Sequence, residues 1–363
     1  MNSVKDIGVL TLHRAHNYGA VLQCYALKLV CESLGHQVET IDYNPFGKYK
    51  VSWVFNYRHP VTAYKYLANL FRFENFVKHR LNPTTTIESH DMIKANPPQD
   101  DIYIVGSDQV WANAIAGDYF DSYLLDFAPK NVKRVAYAAS TGGNPMELND
   151  YQLAELRKFS AISVREKQSV SDVQSKVDIP VTDVCDPTIL LNKDEYEKLE
   201  KKPFMLPKHY MVYFDLAGDS FCAEAVKRLS KQLNLPILNL AGKYKRWARY
   251  NRLAPTPEEW LYIMHHADYI CTNSFHGAAF SIVLQKPFLY SAPQIGGRAK
   301  NNGRVLNLLE HTHFTNRYIT DVNQITHELI SNMSDIEANS KYVDEYRNRS
   351  ILWLKNALED ETD

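Results

Sequence analysis

The stretch Thr272–Ser281, TNSFHGAAFS, decides how this chain is read. It follows ADYIC, an apolar run of strand length, and precedes IVLQKPFLY, which reads as the end of a helix and then a further strand. A strand that hands its chain to a helix here exposes the N–H groups of the helix's first turn, which have no partner within it. In open α/β sheets that junction is where ligands bind. His276 is therefore either part of a site or a packed imidazole beside one.

Outward from this point the same alternation runs through the chain. DIGVLTL reads as a strand, NYGAVLQCYALKLVCESLG as an amphipathic helix closed by Gly35, and QVETIDY as the next strand. DIYIVGSD, VKRVAYAAS, AISVREKQSV and VTDVCDPTILL continue the pattern. A second alternation begins at HYMVYFDLAG and passes through PILNLAG, a helix at PEEWLYIMHHA, DYICTNS and PFLYSA. Strands alternating with helices imply βαβ units and parallel sheets. The fold class expected is α/β, with two Rossmann-like domains facing across a cleft, their parallel sheets flanked by helices. The charged, proline-bearing stretch LLNKDEYEKLEKKPFMLPKH places the boundary, giving domains at 1–192 and 193–335 and a C-terminal helix, 336–363, that packs back on the first domain.

With 363 residues, 45% hydrophobic and 23% charged, two globular domains are natural. A formal charge of −1 argues against a general nucleic-acid binder, which needs a basic surplus. No apolar run is long enough to span a bilayer, and the N-terminus does not read as a signal peptide, so a cytoplasmic protein is expected. The five cysteines include no C-x-x-C pair, so neither metal nor redox chemistry is expected of them. Two stretches are basic and aromatic together. Lys48–Asn82 holds seven Lys/Arg and nine Phe/Trp/Tyr against one acid, and residues 242–252 hold five Lys/Arg and no acid. Contact with the inner face of the plasma membrane or with a lipid-linked phosphate is one reading; aromatics packed on the domain with charges in water is the other.

Four strand ends carry the candidate chemistry. In TLHRAHNYGAVLQ, His13, Arg14, His16 and Asn17 lie between strand and helix with Tyr18 beside them, and Asn17 suits an N-cap. In YIVGSDQVW, Asp108 and Gln109 beside Trp111 suit a sugar, through hydrogen bonds to hydroxyls and a flat apolar face. Asp108 is also a candidate base for a hydroxyl, or merely a cap. In AISVREKQSV, Arg165 suits a carboxylate or phosphate, or a salt bridge within the protein. The fourth is the opening stretch with the segment after it, where Arg298, Lys300 and Arg304 cluster before a helix, a pattern that suits an anion.

HNYGAVLQCYAL, IVGSDQVW, AYAAS, ISVRE, CDPTILL and TNSFHGAAFSIVLQKPF occur in this order over roughly residues 6–320, and as a set they resemble the polysaccharide pyruvyltransferase family. The resemblance implies a glycosyltransferase-B-like (GT-B-like) arrangement, with the acceptor on the first domain and phosphoenolpyruvate on the second. It implies a reaction in which phosphoenolpyruvate and two sugar hydroxyls become a cyclic pyruvate ketal and phosphate, with no cofactor or metal. On that resemblance His276 is the general acid and Arg165 a donor-binding cation, while Ser274, Phe275 and Gly277 line the donor. Better-known members carry an arginine where this chain has Ser274, so Arg298 or Arg304 is nominated in its place. The acceptor then lies near His13, His16, Asn17, Tyr18, Gln109 and Trp111, with Asp108 as a base. The expected acceptor is a hexose, galactose or a related sugar, of a capsular or other surface polysaccharide, with an undecaprenyl-diphosphate-linked precursor as one form. The competing readings are a nucleotide-sugar glycosyltransferase on the same scaffold and a non-catalytic glycan-binding member.

Overall fold

Strands buried at every residue need cover on both faces, and Ile102–Val105, Met211–Phe214 and Tyr269–Thr272 are all of this kind. The computed structural model describes residues 3–45, 60–216, 218–240, 242–294, 302–331 and 334–359. It contains two wholly parallel six-stranded sheets flanked by helices. The first comprises β1 (Asp6–Leu10), β2 (Gln37–Thr40), β3 (Ile102–Val105), β4 (Lys133–Ala139), β5 (Ala161–Val164) and β6 (Val181–Asp183), in the order β2-β1-β3-β4-β5-β6. The second comprises β7 (Met211–Phe214), β8 (Ile237–Asn239), β9 (Tyr250–Asn251), β10 (Tyr269–Thr272), β11 (Phe288–Ser291) and β12 (Tyr318–Ile319), in the order β12-β11-β10-β7-β8-β9.

Each order reverses once, between β1 and β3 in the first sheet and between β7 and β10 in the second. At such a reversal the connections leave in opposite directions and the carboxyl ends of the two central strands stand uncovered. The loops after β1, β3, β7 and β10 therefore form two crests, one on each sheet. Three of the four sequence stretches singled out above begin on them.

The helix that follows β10, Phe275–Val283, is buried from His276 to Val283. An apolar helix of this kind sits inside its domain. Phe280 locks it in place, meeting Tyr196 at 5.1 Å and Trp260 at 5.2 Å, while Trp260 meets Phe214 of β7 at 5.4 Å. Gly277 allows the helix to lie close to its strand, since a Cβ there would stand 2.2 Å from Thr272 Oγ1. In the first sheet β4 changes register against β5 between Ala136 and Ala139. Ser163 bridges this irregularity, donating to Ala136 O and accepting from Ala138 N, each at 3.1 Å.

The chain divides into two compact units, one of residues 1–51, 73–190 and 347–363, the other of 52–72 and 191–346. The last helix, Ser340–Glu359, thus contributes its residues from Arg347 on to the first unit. There Ser350 Oγ accepts from Cys185 N at 2.9 Å and Arg347 Nε donates to Ile189 O at 2.7 Å. All five cysteines are buried and unbridged. Burial raises the thiols of Cys24, Cys31 and Cys185 to about 12, which suits small core residues.

At the amino end of the first sheet Asp100 packs over Gly8, where a Cβ would stand 2.4 Å from its Oδ2. Burial, then the charges of Glu39, Asp6 and Asp101, push its carboxyl up to about 7. A raised acid favours its neutral form in the fold, so its contribution is greatest below about pH 4 and is lost as pH rises through the folded value. Asp100→Asn is expected to be more stable than the parent in urea at about pH 8, and to lose that advantage at about pH 4. An equal gain at both pH values would show that ionisation is not its cause.

Candidate functional site

The crest of the second sheet is closed by a side-chain bond between the two residues that follow its central strands. Asn273 Nδ2 donates to Asp215 Oδ1 at 2.6 Å, and Leu216 N donates to Asn273 Oδ1 at 3.1 Å. Asp215 also accepts from Gly218 N at 2.8 Å and from the Tyr213 hydroxyl at 2.6 Å. Burial, and then that bond to the carboxylate, push the Tyr213 phenol above its ordinary range. Beneath them Thr272 Oγ1 donates to Phe214 O at 2.7 Å and accepts from Ser274 N at 3.0 Å.

Ser274 is the N-cap of the helix Phe275–Val283, its side chain accepting from Gly277 N at 3.4 Å. A cap here satisfies one of the N–H groups that the first turn leaves unpaired. His276 occupies that first turn, 7% exposed, with its ring edge-on to Phe275 at 5.2 Å. The loop after β11 is tied down by Asp219, which accepts from Gln294 N at 2.6 Å while capping its own helix through Phe221 N. Arg304 lies half-buried in the first turn of the helix Gly303–His311, and Arg298 lies outside the described residues.

On the first sheet the crest is a charged network. Asp108, in the left-handed region at φ 71°, accepts from Gln109 N at 3.0 Å through its side chain and from Ser140 N at 3.0 Å through its carbonyl. A non-glycine residue held in that region marks a position whose surroundings over-determine it, and such positions concentrate at functional sites. Arg165, 2% exposed, stands against three carboxylates: Asp186 at 2.8 Å, Glu166 at 3.5 Å and Asp108 at 3.8 Å. Burial disfavours its charge, but the three acids outweigh it and raise the guanidinium's pKa. Asp186 is further held by Ser107 Oγ at 2.9 Å and by Thr188, and Glu166 by Ser140 Oγ.

The loop after β1 has a different character. Asp42 accepts from His13 Nε2 at 3.0 Å, from Arg14 through both Nε and Nη2, and from Thr86 Oγ1 at 2.6 Å. Arg14 also reaches Glu74. Burial alone would raise the Asp42 carboxyl, yet the bonds from His13, Arg14 and Thr86 hold it well below the usual carboxylate range. Asn17 caps the helix Tyr18–Ser33 through Gly19 N at 2.9 Å. His16 and Tyr18 lean on Phe73, at 5.6 Å and 5.1 Å between ring centroids.

Several expected contacts change on this geometry. Trp111 is fully buried, its Nε1 donating to Tyr123 O at 2.9 Å and its ring edge-on to Phe159, so it is a core side chain and not a sugar platform. His13 is fully buried, with its ring nitrogens at Asp42 and Thr11 O, which makes it a packed imidazole. Arg165 faces three protein carboxylates, so a donor anion would have to compete with them; the arrangement favours a positioning role toward Asp108. Asp108 and Gln109 stay half-exposed on the crest. The residues missed in the sequence are Asp42, Asp215 and Glu166. Asp42 and Asp215 follow apolar strand residues in ETIDY and VYFDLAG, and an acid at a strand's carboxyl end was the available signal.

Among the described residues, Glu200, His265 and His266 each bring one ligand atom to within 4.8 Å of the others, a grouping able to hold a metal ion. It precedes β10, at the opposite end of that strand from His276.

The sequence profile of the family described as polysaccharide pyruvyl transferase matches residues 17–293. The chain belongs to the polysaccharide pyruvyl transferase family. No curated protein sequence matches it. In fold it is similar to the S. aureus MnaA–UDP co-structure, at 12% identity and a TM-score of 0.53, covering 99% of this chain and 100% of that one. A putative UDP-N-acetylglucosamine 2-epimerase from Listeria monocytogenes is similar at 12% identity and a TM-score of 0.52, covering 100% and 98%. An alpha-glucosyltransferase solved with UDP-glucose and DNA follows at 9% and 0.51, covering 97% and 95%. The fold is GT-B-like, shared by glycosyltransferases and epimerases.

Asp42→Asn is expected to cost roughly 3–5 kcal/mol in denaturant unfolding at neutral pH, because the cations it faces lose their buried partner. A depressed acid stabilises the fold above its unfolded value, so the parent's advantage should hold down to about pH 4 and fall away below it. Parallel stability curves for parent and variant through that acid range would place the stabilisation elsewhere.

Proposed function

We propose that this pyruvyl transferase moves pyruvate from phosphoenolpyruvate to two hydroxyls of a hexose as a cyclic ketal. What carries the reading is His276, a histidine on the first turn of a buried helix at the strand-order reversal of the second sheet, within the family match. In the proposed reaction His276 protonates the methylene carbon of the donor, leaving an oxocarbenium-like centre. One sugar hydroxyl attacks it and gives up its proton to a base. The C–O bond to phosphate breaks, and the second hydroxyl closes the ketal as its proton is released. The methylene becomes the methyl of the ketal; one hydroxyl proton replaces the one delivered to carbon, and the other leaves with the phosphate.

Backbone N–H groups at the start of the helix Phe275–Val283 are suited to the donor's anionic oxygens, with Arg304 and Arg298 as candidate cations. The acceptor is assigned to the first unit at Asp108 and Gln109, with Asp108 as the hydroxyl base, kept in place by Arg165 and joined by His16, Asn17 and Tyr18. Galactose or a related hexose of a surface polysaccharide is the proposed acceptor, on a lipid-linked precursor such as undecaprenyl diphosphate. That form of acceptor calls for contact with the membrane surface. No described helix is long and apolar enough to cross a membrane.

Phosphate release from phosphoenolpyruvate, measured against galactosides, glucosides and lipid-linked glycosides, tests the reaction. Acceptor-dependent release with a product heavier by one pyruvate minus water is expected. Release with no acceptor, or tight nucleotide-sugar binding without any release, would overturn it. His276→Ala is expected to lower turnover by about 100-fold or more, the scale of a lost general acid, with an unchanged unfolding midpoint. A large loss of stability with turnover retained would make His276 a packing residue.

A further inference from the structure

Phe204 and Met205 are 82% and 76% exposed, and they are neighbours at the tip of the loop that leads into β7. Two large apolar side chains side by side in water call for an explanation that one does not. Their loop, Lys201–His209, reads KKPFMLPKH and contains no acid. Pro203 is buried and anchors it, whereas Lys201, Lys202 and Lys208 are exposed around the tip. Met205 sits in the left-handed region at φ 54°. The tip's shape is held from outside the loop: Arg252 Nη2 donates to the carbonyls of both Phe204 and Met205.

Arg252 ends the basic stretch 242–252 and follows β9, the edge strand of the second sheet. That stretch divides its side chains in two directions. Trp247 turns inward, edge-on to Tyr213 at 5.1 Å and beneath Lys227. Lys243, Arg246 and Arg249 are exposed, and Tyr244 is 58% exposed. One edge of this unit therefore presents an apolar tip tied to a run of cations, with no acid in either stretch.

We propose that this face docks on an anionic lipid surface, with Phe204 and Met205 entering the headgroup–acyl boundary and the surrounding Lys and Arg side chains meeting lipid phosphates. A protein partner presents charges of both signs, while a bilayer rich in acidic lipid presents one, and a rim whose exposed cations Lys201, Lys202, Lys208, Lys243, Arg246 and Arg249 outnumber the acids beside it, Glu200, Glu258 and Asp268, complements the second. Long basic side chains around an inserted apolar pair also keep their heads in the interface while their stems lie on the apolar side. The inference rests on the proposed lipid-linked acceptor for its consequence, the meeting of enzyme and substrate, and on this face alone for the binding itself.

The test is co-sedimentation of the full chain with vesicles of phosphatidylcholine, alone or with about one-third phosphatidylglycerol. Partitioning onto the acidic vesicles is expected to exceed that onto the neutral ones by about tenfold and to weaken as salt is raised. Phe204→Ser with Met205→Ser, and separately Lys201→Glu with Lys202→Glu, should each reduce it by about tenfold. Turnover of a water-soluble acceptor should be unchanged in both variants, so failure of docking and failure of the proposed reaction are read separately. Equal partitioning of parent and variants would overturn the proposal. So would self-association without vesicles that disappears in the Phe204→Ser, Met205→Ser variant, since the tip would then be an interface between copies of the chain.

Discussion

The bond from Asn273 to Asp215, 2.6 Å long, closes the point where the second sheet reverses its strand order. A parallel sheet can satisfy its ladder bonds everywhere except at its ends, and at a reversal no crossover covers the carboxyl ends of the two central strands. Side chains have to finish what the backbone leaves open. Asp215 and Asn273 do so by bonding each other, while Asn273 accepts from Leu216 N of the opposite loop and Asp215 from Gly218 N of its own. With those loops held, Ser274 can cap the next helix and place His276 on its first turn. Gly277 then lets that helix approach Thr272 more closely than any side chain would allow.

The first sheet meets the same requirement with charge. At its reversal Thr11 Oγ1 donates to Ser107 O at 2.9 Å, and the neighbouring loops bring three carboxylates onto one guanidinium, Arg165. A buried cation shared in this way fixes geometry more than it adds stability, because each ion has given up water to be there. Its consequence is local: Asp108 is held in a left-handed backbone at the edge of a rigid network and remains half-exposed. The two crests thus differ in chemistry, one built on hydrogen bonds from Asn273, Tyr213 and Gly218 to Asp215 with a histidine on a helix start, the other dense in ion pairs.

Much of this was legible in the chain. Apolar runs of strand length alternating with helical periods established the α/β class, and the order of six short motifs pointed to the family. The capping role of Asn17 could be read from residue type and position. The sugar-platform reading of Trp111 failed for an identifiable reason. An aromatic just beyond a strand end looks available in sequence, but here the chain turns it inward, and the indole N–H finds Tyr123 O in the core. His13 failed likewise, because its partner Asp42 comes from the end of the next strand and the pairing appears only when β1 and β2 lie side by side.

By itself, then, the sequence determined the periodicity, the strand-to-helix junctions and the set of residues that stand at them, because these depend on neighbours a few positions apart. Only the tertiary structure decided which of those residues are paired with one another and which remain accessible. Asp42 with His13 and Arg14, Arg165 with Asp186, and Asn273 with Asp215 each join segments tens of residues apart. Strand order sets such meetings, and strand order follows from how the whole chain buries its apolar faces, which no local pattern encodes.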